Sequence, residues 1–221
     1  MIRLHHAHQT RSMRSLWLLH ELDVPFDLVE RPFDATLRSA DYLALHPAGR
    51  VPALEIDGHR MFETGAITEY LCERFPEAGL GRPPGDDERM EWLIWVHFAE
   101  TVSQHAAALT QQHVILFEDH MRSPVVMKIE ARRLEKCYAA LDARLSGAQN
   151  RTYLLDTGFT AADISVGQAL YMSRHFAKIE PFAALTQWYE RITQRPGFLA
   201  SLPPEHAVRL YPKSFYPPTP G

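Results

Sequence analysis

Within five residues, Thr10-Arg11-Ser12-Met13-Arg14, the sequence sets two hydroxyls and two guanidinium groups at the start of a predicted helix. A helix N-terminus already carries positive partial charge and normally attracts carboxylates. Here the first turn holds no acid, and two like charges three residues apart add about a few tenths of a kcal/mol of repulsion. An anion or developing thiolate beside Thr10, Arg11 and Ser12 would relieve both penalties, because amides, hydroxyls and guanidinium groups would converge on it. The alternative is that both arginines bend into solvent or pair with distant acids, where screening makes their repulsion small.

Two further segments carry groups suited to a ligand. In His46-Pro47-Ala48-Gly49-Arg50-Val51-Pro52-Ala53-Leu54 a proline opens a strand after a glycine-containing turn, a setting for a cis peptide. A cis Val51-Pro52 bond would leave the N–H and C=O of Val51 unpaired by the sheet and open to a peptide-like ligand. Glu63-Thr64-Gly65-Ala66-Ile67 opens another predicted helix. There Thr64 is either an ordinary cap or, with its own amide, a holder for a carboxylate, while Glu63 beside it can hold an ammonium group. A carboxylate and an ammonium on one carbon describe the end of an amino acid.

Other chemistries find less support. Cys72 and Cys137 are far apart and form neither a CxxC pair nor a disulfide framework, so both read as buried small apolar residues. Twelve histidines invite a metal, but His97, His105, His113 and His120 are seven or eight residues apart, whereas two ligands on one helical face stand about four apart. No metal is expected.

The elements that must position these groups follow from the hydrophobic periods. Ile2, Leu4 and His6 share a strand face, and Met13, Leu16, Leu19 and Leu22 fall at helical spacing until Asp23-Val24-Pro25. Phe26 to Glu30 reads as a strand, Ala35 to Leu45 as a short helix or loop, and Ala53 to Ile56 and Arg60 to Phe62 as strands joined at Asp57-Gly58. Thr64 to Phe75 reads as a helix. The order β-α-β-α-β-β-α predicts a small mixed sheet in which both strand–helix units form right-handed parallel crossovers. Pro76 to Asp87 is too rich in Pro and Gly for an element, so the chain divides into an α/β domain (1–78), a linker (79–87) and an all-α domain (88–221).

Beyond the linker only helical patterns remain: Met90 to about Phe117, Pro124 to Leu145, a third from Thr160, and Leu185 to Arg195, closed by Pro196-Gly197. Phe159-Thr160-Ala161-Ala162-Asp163-Ile164 has the form of a capping box, in which Thr160 and Asp163 satisfy each other's amides and Phe159 staples to Ile164. From Pro203 the proline-rich tail is expected to lie extended, its aromatics Tyr211, Phe215 and Tyr216 either covering a site or packing on the surface.

At 221 residues, 46% of them hydrophobic, the chain can bury a sizeable core, and a formal net charge of -4 offers no basic excess to track nucleic acid. No apolar run approaches the roughly 20 residues of a membrane helix, and Met1 to His6 shows no export signal, so a cytoplasmic protein is expected.

Taken together, Thr10 to Leu19, the His46 to Leu54 loop, Glu63 to Ile67 and the Phe159 to Asp163 box resemble a cytosolic glutathione S-transferase over nearly the whole chain. The opening of the first helix, running into Leu-Trp-Leu-Leu, is similar to the Ser-Arg-Ser type of the theta-like bacterial and fungal group, with Thr10, still a hydroxyl, in place of the first Ser. The resemblance implies a thioredoxin-like N-terminal domain, an all-helical C-terminal domain, a homodimer, and glutathione as co-substrate with no cofactor. By position it implies that Thr10 or Ser12, with Arg11, activates the glutathione thiol. Val51 beside cis Pro52 would pair with the cysteinyl backbone, Glu63 and Thr64 would hold the γ-glutamyl end, and Arg50 or a neighbouring group the glycine carboxylate. Glu100 would reach the γ-glutamyl ammonium of the other subunit, and a hydrophobic electrophile would sit between the domains.

Departures narrow that expectation. His5-His6-Ala7-His8 stands where a tyrosine-type enzyme would carry its Tyr, and no Cys lies between Gln9 and Ser12 to attack a disulfide. Gly65 stands where a larger residue is common. Alternatives on the same fold are a non-catalytic interaction module and a glutathione-dependent isomerase or peroxidase.

Overall fold

The computed structural model describes residues 1–147 and 151–218. They fall into two units: Met1–Arg89 with Gln194–Leu210, and Met90–Thr193 with the described residues from Tyr211 on.

The first unit is built on a four-stranded sheet of order β2-β1-β3-β4, with β1 at Ile2–His6, β2 at Asp27–Glu30, β3 at Ala53–Ile56 and β4 at His59–Met61. Alternation along β1 buries Leu4 and His6. Helix α1 (Ser12–Glu21) connects β1 to β2, which run parallel in the register Leu4↔Leu28 and His6↔Glu30. Strand β3 runs antiparallel to β1, His5 facing Ala53, so only the first of the two expected parallel crossovers forms. The reason lies in the β2–β3 connection. Its helical pieces, a 3-10 turn at Ala35–Arg38 and α2 at Ala40–Leu43, are one turn each, whereas a parallel return needs a crossover as long as the strand it spans.

Asp57 and Gly58, both at positive φ, make the tight turn between β3 and β4, and the N-terminal ammonium is 2.8 Å from the Asp57 carboxylate. Helix α3 (Thr64–Arg74) closes the βαβαββα order, and its Ile67 and Leu71 share the core with Leu4, Trp17, Leu18 and Leu54. Cys72 is buried here, its thiol pushed up to about 12 by burial and by Glu73 and Glu69.

In the second unit, α4 (Arg89–Thr110) runs into a π-helical turn at Gln111–Ile115, and α5 (Pro124–Ser146) starts at a Ser123 cap with proline in its first turn. Arg144 on α5 forks onto both Glu91 carboxylate oxygens and onto the Leu154 carbonyl. Helix α6 (Ala161–Ser173) is apolar almost all round and is buried along nearly its whole length, as expected of a helix inside a bundle. Its capping box forms as the sequence predicts: Thr160 N–H donates to Asp163 at 2.9 Å, and the Thr160 hydroxyl accepts from the first-turn amides. The Asp163 carboxylate also accepts from Leu154 N–H at 3.0 Å and Trp188 Nε1 at 2.9 Å. The Phe159 ring packs edge-on against Tyr153.

Helix α7 (Ala183–Ile192) ends earlier than its periodicity suggests, and Pro196 opens a separate helix, α8 (Pro196–Ala200), instead of closing the previous one. Helix α8 belongs to the first unit. Arg195 clasps Glu21 of α1 with two bonds of 2.9 and 2.6 Å, and Phe198 meets Trp17 edge-on. Gly197 permits this approach, since a Cβ there would stand 2.8 Å from the Glu21 carboxylate. The tail is non-helical, yet Tyr211 and Tyr216 are buried: Tyr211 stacks on His175 and shares a hydrogen bond with Thr110. No helix among the described residues is long and apolar enough to cross a membrane.

Candidate functional site

The turn between β1 and α1 brings the predicted hydroxyls together. Gln9 takes a positive φ, and Arg11 is the N-cap residue of α1 without a side-chain cap bond. Thr10 Oγ1 donates to the Ala7 carbonyl at 2.7 Å and lies 2.8 Å from Ser12 Oγ. Ser12 is wholly buried; its hydroxyl also accepts from Ala7 N–H at 3.1 Å and meets His6 Nδ1 at 2.8 Å. One proton and two lone pairs are thus consumed within the turn. Arg11 is half-buried.

Arg14 neither bends into solvent nor points back to the helix start. It is fully buried, and its Nη1 donates to the Thr64 hydroxyl at 3.1 Å, tying the start of α1 to the start of α3. The cap of α3 is Glu63 rather than Thr64, and Glu63 sits at φ 73, a left-handed conformation that a non-glycine residue holds only against strain. Its exposed carboxylate stands beside the first-turn amides of α3, which have no intrahelical partners. Thr64 is buried, with Thr68 Oγ1 donating to its carbonyl.

The Val51-Pro52 bond is cis, and Val51 precedes β3, so its amide and carbonyl lie beyond the last ladder pair, His5–Ala53. The loop before it is firmly held. The Tyr42 hydroxyl donates to the Arg50 carbonyl at 2.7 Å, and Gly49, at φ 59, packs where a Cβ would stand 2.7 Å from the Leu37 carbonyl. The Arg50 side chain is exposed. His46, which the sequence did not single out, is buried against Phe62 with rings 4.8 Å apart, and Ala48 N–H donates to its Nδ1. Burial lowers the His46 pKa, and the negative charge of Glu63 opposes that shift, which ties the two segments into one neighbourhood. Glu100 is half-buried on α4, in the second unit.

The first unit therefore gathers Val51, whose backbone lies outside the strand ladder beside a cis peptide, a helix N-terminus beside a carboxylate, and a second helix start carrying hydroxyls. Together they suit a short peptide with an amino-acid end and a sulfur. Among the described residues no cluster of His, Cys, Asp and Glu has the arrangement of a metal site.

The N-terminal domain of glutathione S-transferase matches residues 1–73, and its C-terminal domain residues 105–196. The chain belongs to the glutathione S-transferase family. Glutathione S-transferase 3 of Schizosaccharomyces pombe is 26% identical over the whole of this chain and 96% of its own length. A sphingomonad glutathione S-transferase solved in complex with glutathione matches with a TM-score of 0.76 and 26% identity, over 90% of this chain and 96% of that one. A glutathione S-transferase from Xylella fastidiosa has the same fold, with a TM-score of 0.79 at 24% identity, over 91% of this chain and 97% of that one. Both cysteines of this transferase-family chain are buried, Cys72 on α3 and Cys137 on α5, and neither stands at the start of α1.

Proposed function

We propose that the protein is a glutathione transferase of the theta-like, hydroxyl-dependent kind, which binds glutathione on its first unit and ionises its thiol for attack on a hydrophobic electrophile. The observation that carries this reading is the grouping of Val51 beside the cis peptide, Glu63 and Thr64 at α3, and Thr10 at α1 within one family-matched domain.

The cysteinyl backbone of glutathione pairs with the amide and carbonyl of Val51. The γ-glutamyl carboxylate takes the first-turn amides of α3 and the Thr64 hydroxyl, while Glu63 holds the ammonium. Arg50 is placed on the glycine carboxylate by charge, and Glu100 on the ammonium of the partner protomer's ligand. A thiol of pKa near 8.5 is only a few per cent ionised at pH 7, and each unit of lowering requires about 1.4 kcal/mol of thiolate-selective stabilisation. A Thr10 hydroxyl turned from the Ala7 carbonyl to the sulfur, with the α1 dipole and Arg11 behind it, is suited to supply one to two such units. Of the two hydroxyl residues Ser12 is the more deeply buried, so Thr10 is assigned this role over Ser12.

The thiolate attacks a halide-bearing, epoxide or conjugated carbon, forming the carbon–sulfur bond. We take the working form to be a cytoplasmic homodimer. Conjugation of glutathione to an activated aryl halide, followed across pH, tests the reading: the parent should turn over with a rate that levels above the lowered thiol pKa. A Thr10→Val, Ser12→Ala double variant with the parent's pH–rate profile would refute it.

A further inference from the structure

The first unit contains a file of polar side chains that begins at Thr10 and runs from the start of α1 toward the surface. Thr10 Oγ1 and Ser12 Oγ are 2.8 Å apart, and Ser12 Oγ is 2.8 Å from His6 Nδ1. His6 Nε2 is 3.2 Å from His8 Nδ1, the two rings meeting edge-on. His8 Nε2 is 3.4 Å from Glu30 Oε1. The file starts at two buried hydroxyls beside the N-terminus of α1 and ends on an exposed carboxylate.

Strand geometry assembles it. His6 and Glu30 are register partners in the parallel β1–β2 pair, which brings β2 alongside the end of β1. His8, two residues beyond His6, reaches the Glu30 carboxylate from there. Burial first, and then the neighbouring His8, push the His6 pKa down to about 3, so its ring is neutral and presents one donor and one acceptor nitrogen. Structural filling does not require this. Buried polar rings lower stability relative to apolar side chains of the same size unless fully bonded.

We propose that Thr10, Ser12, His6, His8 and Glu30 form a relay that carries the thiol proton of bound glutathione from the start of α1 to the protein surface. The proposal rests on the reading that the glutathione sulfur sits at Thr10. The S–H bond breaks as its proton passes to Thr10 Oγ1. The Thr10 proton passes to Ser12 Oγ, that of Ser12 to His6 Nδ1, the Nε2 proton of His6 to His8 Nδ1, and the Nε2 proton of His8 to Glu30, which gives it to water. One proton enters, one leaves, and the electron pair stays on sulfur. The Ala7 carbonyl, 2.7 Å from Thr10 Oγ1 and 3.1 Å from Ser12 Oγ, gives both hydroxyls a resting acceptor, so each can swing between it and the file. Ala7 N–H holds Ser12 Oγ in place throughout.

The test is proton release on mixing the full-length protein with glutathione, read by a pH-indicator dye in weak buffer. His8→Leu should slow release about tenfold, added imidazole should restore it by carrying the proton in solution, and calorimetric glutathione affinity should match the parent. Glu30→Gln, at the exposed end where folding is not at stake, should slow release about threefold. Parent-like release in both variants, or slowing that imidazole does not relieve, overturns the relay. If the parent binds glutathione and releases no proton, thiol ionisation itself fails and the relay falls with it. Fast release in the parent and in both variants removes the relay alone.

Discussion

Thr10 and Ser12 stand two residues apart with near-identical chemistry, and the hydrogen bonds around them separate their roles. Ser12 Oγ holds the β1–α1 turn together through Ala7 and His6. Ser12→Ala should therefore lower stability by about 1–3 kcal/mol, the cost of leaving a buried amide without its acceptor, as read by urea unfolding. Thr10→Val should also cost some stability, since its buried hydroxyl bonds the Ala7 carbonyl and the Ser12 amide, and should in addition lower kcat/KM between about ten- and a hundredfold at neutral pH, each lost unit of thiol acidity costing a factor of ten in thiolate. Steady-state kinetics beside the unfolding curves distinguish the two. The sequence made these hydroxyls legible because a helix start is a local event. It did not show that Arg14 turns inward, because its partner, Thr64, comes fifty residues later. The unrelieved charge at the opening of α1 was read as a sign of a ligand or of arginines bending into solvent or pairing with distant acids, and the buried position of Arg14 on Thr64 matches neither for that residue. His6 and His8 carried a fainter sign, two imidazoles at strand spacing.

Helix α6 shows an element whose start was fully readable from sequence, because a capping box is written in consecutive residues. The structure adds what spacing cannot: Asp163 also accepts from Leu154 and Trp188. Thr160→Ala should cost about 1 kcal/mol as an ordinary cap loss. Asp163→Ala, which strands three buried donors, should cost about 3 kcal/mol or more, and chemical denaturation of the two variants should preserve that ranking. The second crossover and α8 were misread for physical reasons. The direction of β3 depends on how far one-turn helices can carry the chain, and a Pro-Gly pair can end one helix or begin the next. Docking of α8 on α1 through Arg195 and Glu21 was beyond local pattern altogether.

Across the molecule, the two-part architecture was legible from the linker composition, although residues 194–210 group with the first unit instead of the second. Stability should respond to acid as a property of the whole chain. Burial lowers the pKa of His6, His20, His46, His113 and His175. In the unfolded chain these groups take up protons below about 6.5, while the folded protein resists, so their stability contribution is complete above that pH and falls as pH drops toward their folded values. Asp163, raised to about 6 by burial, acts in the opposite sense, its contribution growing as pH falls from about 6 toward the ordinary carboxylate range. The histidines outnumber it. The urea midpoint should therefore fall between about pH 7 and pH 5, and His6→Asn should flatten that slope.

Ionisation of glutathione by this protein is the central claim, and the ultraviolet absorbance of the bound thiolate, titrated against pH in the parent and in Thr10→Val, tests it most directly. The account predicts a midpoint about one to two units below the free thiol's value near 8.5, moving back toward that value in Thr10→Val. A bound thiol that titrates at its free value in the parent would contradict it.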